Sequence, residues 1–177
     1  MVKTRQEKEN INFKMLIPSI ISWVFIISQV ICTFILWDNY YGLDFLVYIG
    51  YTVWVLAAIF GIVPIFQFKS HGGVKEGESY MKTTKIVTSG LYAIVRHPQY
   101  LAGILISVAL ACMSQHWLVV VFIIPPIILT YFDAKREDRR LLEKFGEEYR
   151  LYSKRVPGLE PISGLICFIV RSTKKKI

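Results

Sequence analysis

The chain alternates long uncharged stretches with short, strongly charged ones. Ile17 to Trp37 gives 21 residues without a charge. As a helix that run reaches roughly 30 Å, the thickness of a bilayer's hydrocarbon core. It ends at Trp37-Asp38-Asn39-Tyr40-Tyr41, an aromatic and polar group that suits a membrane interface. A second uncharged run extends from Phe45 to Phe68, and Gly61 and Pro64 predict a bend and a close helix contact in its second half. Residues 69 to 97 are polar. His71-Gly72-Gly73 reads as a loop, Lys75 to Glu78 keeps it polar, Lys85 to Thr88 as extended chain, and Ser89-Gly90 as a turn.

Two further apolar runs follow, Pro98 to Met113 and Trp117 to Phe132, parted only by Ser114-Gln115-His116. The spacing predicts an antiparallel helical hairpin. Each run is roughly 24 Å long, which is short for a full crossing. Pro125-Pro126 must interrupt the second of them. Residues 133 to 155 are charged but periodic: Leu141, Leu142, Phe145, Tyr149 and Tyr152 fall on one helical face. Gly146 costs that helix about 1 kcal/mol relative to Ala and marks a place for a break. Ile162 to Val170 is apolar but too short to span, which predicts a helix lying in the interface. The pattern gives an all-α, polytopic membrane protein with four transmembrane helices, a fifth short membrane-associated segment, and an amphipathic helix near the C-terminus. Residues 1–68 form an N-terminal part and residues 69–177 a second part.

Composition agrees with this reading. The chain is 54% hydrophobic yet carries a formal charge of +8. Its 21 Lys and Arg are confined to three segments: four before residue 17, five between residues 69 and 97, and twelve from residue 133 onward. The 38–44 and 114–116 connections have none. Four crossings place every one of these cations on one side, and the positive-inside rule makes that side cytoplasmic. The charge is then topology and attraction to anionic headgroups, and nucleic acid is not an expected partner. Cys32, Cys112 and Cys167 are scattered in apolar stretches and read as small hydrophobes. His71, His97 and His116 share no ligand spacing, so no metal is expected. The polar first 14 residues and the length of the run after them argue against a cleavable signal peptide.

Candidate chemistry centres on Arg96-His97-Pro98-Gln99-Tyr100. Pro98 suits the first turn of a helix, which makes His97 its N-cap. The helix start, with Arg96 and His97, suits an anionic group. His97 equally suits the bland role of capping its own helix. Glu137-Asp138 lies at the foot of the other hairpin helix, and Glu137 equally suits a surface pair with Arg136 or Arg140. Tyr92 and Tyr100 equally suit interface anchoring.

Taken together, Gly90-Leu-Tyr-Ala-Ile-Val-Arg-His-Pro-Gln-Tyr100, then Glu137-Asp138-Arg-Arg-Leu-Leu-Glu-Lys-Phe-Gly-Glu-Glu-Tyr149, Tyr152 and Arg155-Val-Pro157 resemble isoprenylcysteine carboxyl methyltransferases and the wider group that includes phospholipid methyltransferases. The resemblance covers residues 82 to 161, and the short chain is most similar to prokaryotic members. It implies methyl transfer from S-adenosylmethionine, without a metal, to a lipid-anchored or apolar acceptor. It implies that Thr84, Lys85, Ile86, Val87, Tyr92, His97, Pro98, Gln99, Tyr100 and Glu137 hold the cofactor, with the cytoplasmic helix closing the pocket. Arg96 and Arg136 are candidates for orienting the acceptor. The chain departs from the family pattern at Asp133, where a substrate-orienting Arg is expected, and at Asp138, where the family pair has a second Glu. An NADPH-dependent sterol reductase of the membrane type shares the Arg-His-Pro-x-Tyr and Tyr-x-x-Tyr…Val-Pro elements and is the alternative. A non-enzymatic membrane scaffold or transporter subunit is the third reading.

Overall fold

The computed structural model describes residues 2–36, 41–73 and 84–174, and side-chain surroundings from residue 17. Trp37 to Tyr40, Lys75 to Glu78 and the last three residues lie outside the described residues, so the interface reading of the first group is not addressed. Every described regular element is helical. The helices are α1 (Val2–Ile35), α2 (Asp44–His71), α3 (Pro98–Ser114), α4 (Trp117–Val121), α5 (Ile124–Phe145), α6 (Glu147–Arg155) and α7 (Pro161–Lys174), with a 3-10 turn at Gly90–Ala93.

Three stretches are long and apolar enough to cross a membrane: Ile17–Ile35, Asp44–His71 and Trp117–Phe145. Pro98–Ser114 is apolar but shorter, as is α7. Large apolar side chains stand exposed along the three long stretches and α7, among them Trp23, Phe34, Tyr48, Trp54 and Phe66, whereas no residue of α3 is exposed. A helix with its apolar side chains turned outward as well as inward is matched to hydrocarbon, not water.

The prolines of the apolar runs sit in different places. Helix α2 continues through Pro64, which is fully buried. At Pro125-Pro126 the helix does break, between α4 and α5, at Phe122-Ile123. Neither proline has an N–H for the carbonyl four residues earlier, so Val121 and Phe122 lose their helical donors. The prolines then serve as the second and third residues of α5, where a missing N–H costs nothing. From there α5 runs unbroken from its apolar start into the charged residues up to Phe145, because nothing in between breaks a helix. The apolar run and the charged helix are one element, not two. Gly146 ends it with a φ of 58° and starts α6.

The chain groups into two compact units, Met1–Val55 with Gly103–Asp133, and Leu56–Ala102 with Ala134–Ile177. In the first unit, Leu110, Ala111 and Val119 form a small core with Val30, Ile106 and Ile123 packed on it. Gly50 lets α2 approach α3, since a Cβ there would meet the Met113 side chain and the Ala109 carbonyl. Gln115 takes a φ of 51° at the hairpin turn. Its side-chain amide accepts from the Leu43 N–H at 3.2 Å and donates to the Leu43 carbonyl at 2.8 Å. The α1–α2 and α3–α4 connections are therefore tied together. His116 caps α4 through its Nδ1, which accepts from the Leu118 N–H. Gln29, buried on α1, donates to the Val119 carbonyl, and Asp133 accepts from the Ser19 hydroxyl at 2.8 Å.

In the second unit, Tyr149, Tyr152 and Val156 form the core, with Ile86, Leu141 and Phe145 against them. Residues 84–88 carry no regular secondary structure, with a bend at Lys85. Backbone bonds from Arg96 N–H to the Pro157 carbonyl and from His97 N–H to the Gly158 carbonyl hold the stretch before α3 against the stretch before α7.

Candidate active site

The second unit draws the charged groups of two helices together. Pro98 opens α3, and the His97 carbonyl accepts the first helical bond from Leu101. His97 is thus the N-cap in its backbone. Its ring is not used for capping. It turns to α5, where Nε2 donates to Oδ1 of Asp138 at 2.7 Å. The Arg96 guanidinium donates to the same oxygen at 2.6 Å, and so does the Tyr149 hydroxyl from α6. Three donors, two from the stretch before α3 and one from α6, meet on one carboxylate oxygen of a half-buried residue. An anion taken from water needs such compensation, since charge-assisted bonds offset its desolvation. The Arg96 Nε–H is buried and has no acceptor in the structure.

Two tyrosines are fixed beside this cluster. Tyr152 donates its hydroxyl to the Tyr92 carbonyl at 2.7 Å, and the two tyrosine rings of α6 pack edge to face. Burial holds Tyr149 protonated well above the usual tyrosine range, and the bond to Asp138 with its charge adds to this. Burial does the same for Tyr152. Both therefore act as neutral hydrogen-bond donors near pH 7.

The residues expected at the cofactor are placed as follows. Tyr92 is buried in the 3-10 turn, its ring 4.9 Å from that of Phe68. Val87, His97 and Pro98 are buried, and Gln99 and Tyr100 are half-buried on the first turn of α3. The Tyr100 ring lies 5.6 Å from the His97 ring. Ile86 packs on the α6 tyrosines. Thr84 and Lys85 are exposed, both held through their N–H groups by the Gly72 carbonyl. Gly90, at a φ of 61°, brings the turn onto Gln67, leaving no room for a Cβ. Glu137 pairs with the exposed Arg140 one turn along α5, and does not touch Arg96 or His97. Arg136 is half-buried on α5. In the first unit, Asp133 is buried.

The sequence reading ranked Glu137 above Asp138 and did not foresee the Tyr149 bond. A signal for both was present. Asp138 precedes Leu141 by three residues and Phe145 by seven, so it shares the inward stripe of α5. Glu137 and Arg140 are spaced for a surface pair.

The all-helical fold has several helices fit for a bilayer and, in its second unit, a polar charge cluster. Residues 20–148 match the family model described as "Phospholipid methyltransferase". The chain belongs to that family of membrane methyltransferases. It is similar to a methanethiol S-methyltransferase of Pseudomonas deceptionensis, 35% identical over 50% of this chain and 35% of that protein. It is also similar to a probable 7-dehydrocholesterol reductase of Acanthamoeba polyphaga mimivirus, 32% identical over 43% of this chain and 17% of that protein. A Delta(14)-sterol reductase of Mus musculus is 31% identical over 41% of this chain and 18% of that protein. The matched regions are thus about a sixth to a third of these relatives' lengths. No solved structure matches the chain.

Proposed function

We propose that this chain transfers a methyl group from S-adenosylmethionine to a lipid-anchored or apolar acceptor at the cytoplasmic face of a membrane, most like an isoprenylcysteine carboxylate. Four crossings, both termini in the cytoplasm and a catalytic part in residues 69–177 complete the reading. The observation that carries it is the family match over residues that include both Arg96-His97 and Glu137-Asp138. The orphaned Arg96 Nε–H supports a cofactor at this corner: a buried cationic donor lacking an acceptor fits a carboxylate such as that of S-adenosylmethionine.

Bound S-adenosylmethionine supplies a methyl group on an already activated sulfonium. The protein's work is then alignment and exclusion of water. Arg96 and His97, at the start of α3, bind the carboxylate, and Asp138 with Tyr149 holds both side chains in place. Glu137 binds the ribose hydroxyls or the ammonium, and its single surface ion pair is cheap to exchange. Tyr92 and Tyr100 pack on the adenine or face the sulfonium. Thr84, Lys85, Ile86, Val87, Pro98 and Gln99 line the same cofactor. A carboxylate acceptor would need no general base, since it is already anionic when the activated methyl group is supplied. The methanethiol-acting relative makes a small thiol a further acceptor to assay.

The reductase reading has its own support in the two sterol reductases, which match about 40% of the chain. Isothermal titration of the purified protein separates the readings. S-adenosylhomocysteine is expected to bind and NADPH is not. The opposite result sinks the methyltransferase proposal. Glu137→Ala should abolish S-adenosylhomocysteine binding, whereas a scaffold or transporter subunit would lose nothing by that change.

A further inference from the structure

A cavity lies in the same unit and is lined by none of Arg96, His97, Asp138 and Tyr149. It has a volume of about 520 Å³, floored by Ala93, Tyr152 and Val156 and walled by Leu151 of α6 and Phe168 of α7. Arg155, at the end of α6, and Arg171, near the end of α7, stand on its walls. Arg171 is fixed by two bonds, from Nε to the Cys167 carbonyl and from one terminal nitrogen to the Ala93 carbonyl at 2.9 Å. Neither carbonyl neutralises its charge. Arg155 is exposed, and neither arginine has a carboxylate partner among the described residues. The acidic lining residue, Glu148, precedes Arg155 by seven positions on α6, which sets their backbones roughly 10 Å apart. The hydroxyls of Thr88 and Ser172 complete the polar side.

Helix α7 sets the depth of this cavity. Its 14 residues reach roughly 21 Å, short of a hydrocarbon core. Ile162, Leu165, Ile166, Phe168, Ile169 and Val170 are all exposed on it, and its C-terminal turn is basic. A helix with that make-up lies in the headgroup layer, apolar side chains toward the acyl region. A cavity with two uncompensated arginines above apolar walls then sits where lipid phosphates are most concentrated, and its charge complements theirs.

We propose that this cavity seats the phosphate of an anionic glycerophospholipid from the surrounding bilayer, with Arg155 and Arg171 as its donors and an acyl chain against Phe168. None of Arg96, His97, Glu137 and Asp138 lines it, so its test needs no cofactor and no turnover.

The full chain, purified in neutral detergent, is titrated with phosphatidylglycerol and, separately, phosphatidylcholine. Bound lipid is counted by native mass spectrometry and affinity is read from the melting temperature. Phosphatidylglycerol is expected to bind at one site about tenfold more tightly than phosphatidylcholine. Arg155→Gln should remove most of that preference with an unchanged melting temperature in the absence of lipid, since Arg155 makes no bond in the structure. Arg155→Lys, which keeps the charge, should restore it. Equal binding of the two lipids, or an unaltered preference in Arg155→Gln, overturns the proposal. Full competition by millimolar glycerol 3-phosphate also overturns it, since it would assign the cavity to a soluble phosphate.

Discussion

Asp138 and Glu137 are neighbours in sequence with different work to do. Replacing Asp138 by Asn keeps the shape but leaves Arg96 and His97 without an anion. The expected cost is about 2–4 kcal/mol, read as a lower midpoint of unfolding in detergent. Glu137→Gln removes one surface ion pair and should cost less than about 1 kcal/mol in the same measurement. Its proposed effect is instead on cofactor affinity, so stability and binding report on different residues. Tyr149 supplies a pH test. Its proton is retained in the folded state above the usual value near 10, while the unfolded chain releases it there. Stability is therefore complete below about pH 10 and is lost as pH rises beyond it. Tyrosinate absorbance should rise together with unfolding, and Tyr149→Phe should weaken the dependence. The stripe Asp138-Leu141-Phe145 made this much legible in the sequence. That Arg96, His97 and Tyr149 would choose one oxygen was not legible, because Arg96-His97 and Tyr149 lie on separate elements.

At the level of elements, the breaks follow from single residues. Gly146 adopts a φ of 58° and a ψ of −130°, and a Cβ there would touch nothing. Gly146→Ala thus tests backbone strain alone and should cost about 1–3 kcal/mol. Gly164 is the contrast. A Cβ there would collide with the Ile94 carbonyl, so Gly164→Ala should lift α7 from the 3-10 turn. The check is faster proteolysis after residue 160 together with a lower melting temperature. Pro64 and Pro125-Pro126 show the limit of reading breakers from sequence. A lone proline was absorbed within α2, whereas a pair removed two successive donors and ended α4.

For the whole molecule, the arrangement of Lys and Arg is the strongest constraint on orientation. The hydrogen-bonded pair of Leu43 and Gln115 joins the two connections that have no cation, in keeping with their sharing one face of the membrane. A fluorescent protein fused at the C-terminus should therefore fluoresce, and alkaline phosphatase there should be inactive. Phosphatase inserted after Gly42 should be active. Reversed activities would overturn the proposed topology, without touching the family assignment.

By itself the sequence determined which stretches are apolar enough to suit lipid, that a helix is interrupted near Pro125-Pro126 and again at Gly146, and which motifs carry the family likeness. These are local properties: periodicity, charge and missing N–H groups act within a few residues. Only the tertiary structure decided that Asp138 receives Arg96 and His97 from 41 or 42 residues away, that Glu137 turns to its own helix, and that α6 and α7 line an open cavity bearing two arginines. Such pairings depend on which helix faces meet, and a chain's pattern of apolar and polar residues is the same for every face that a helix can present to a partner.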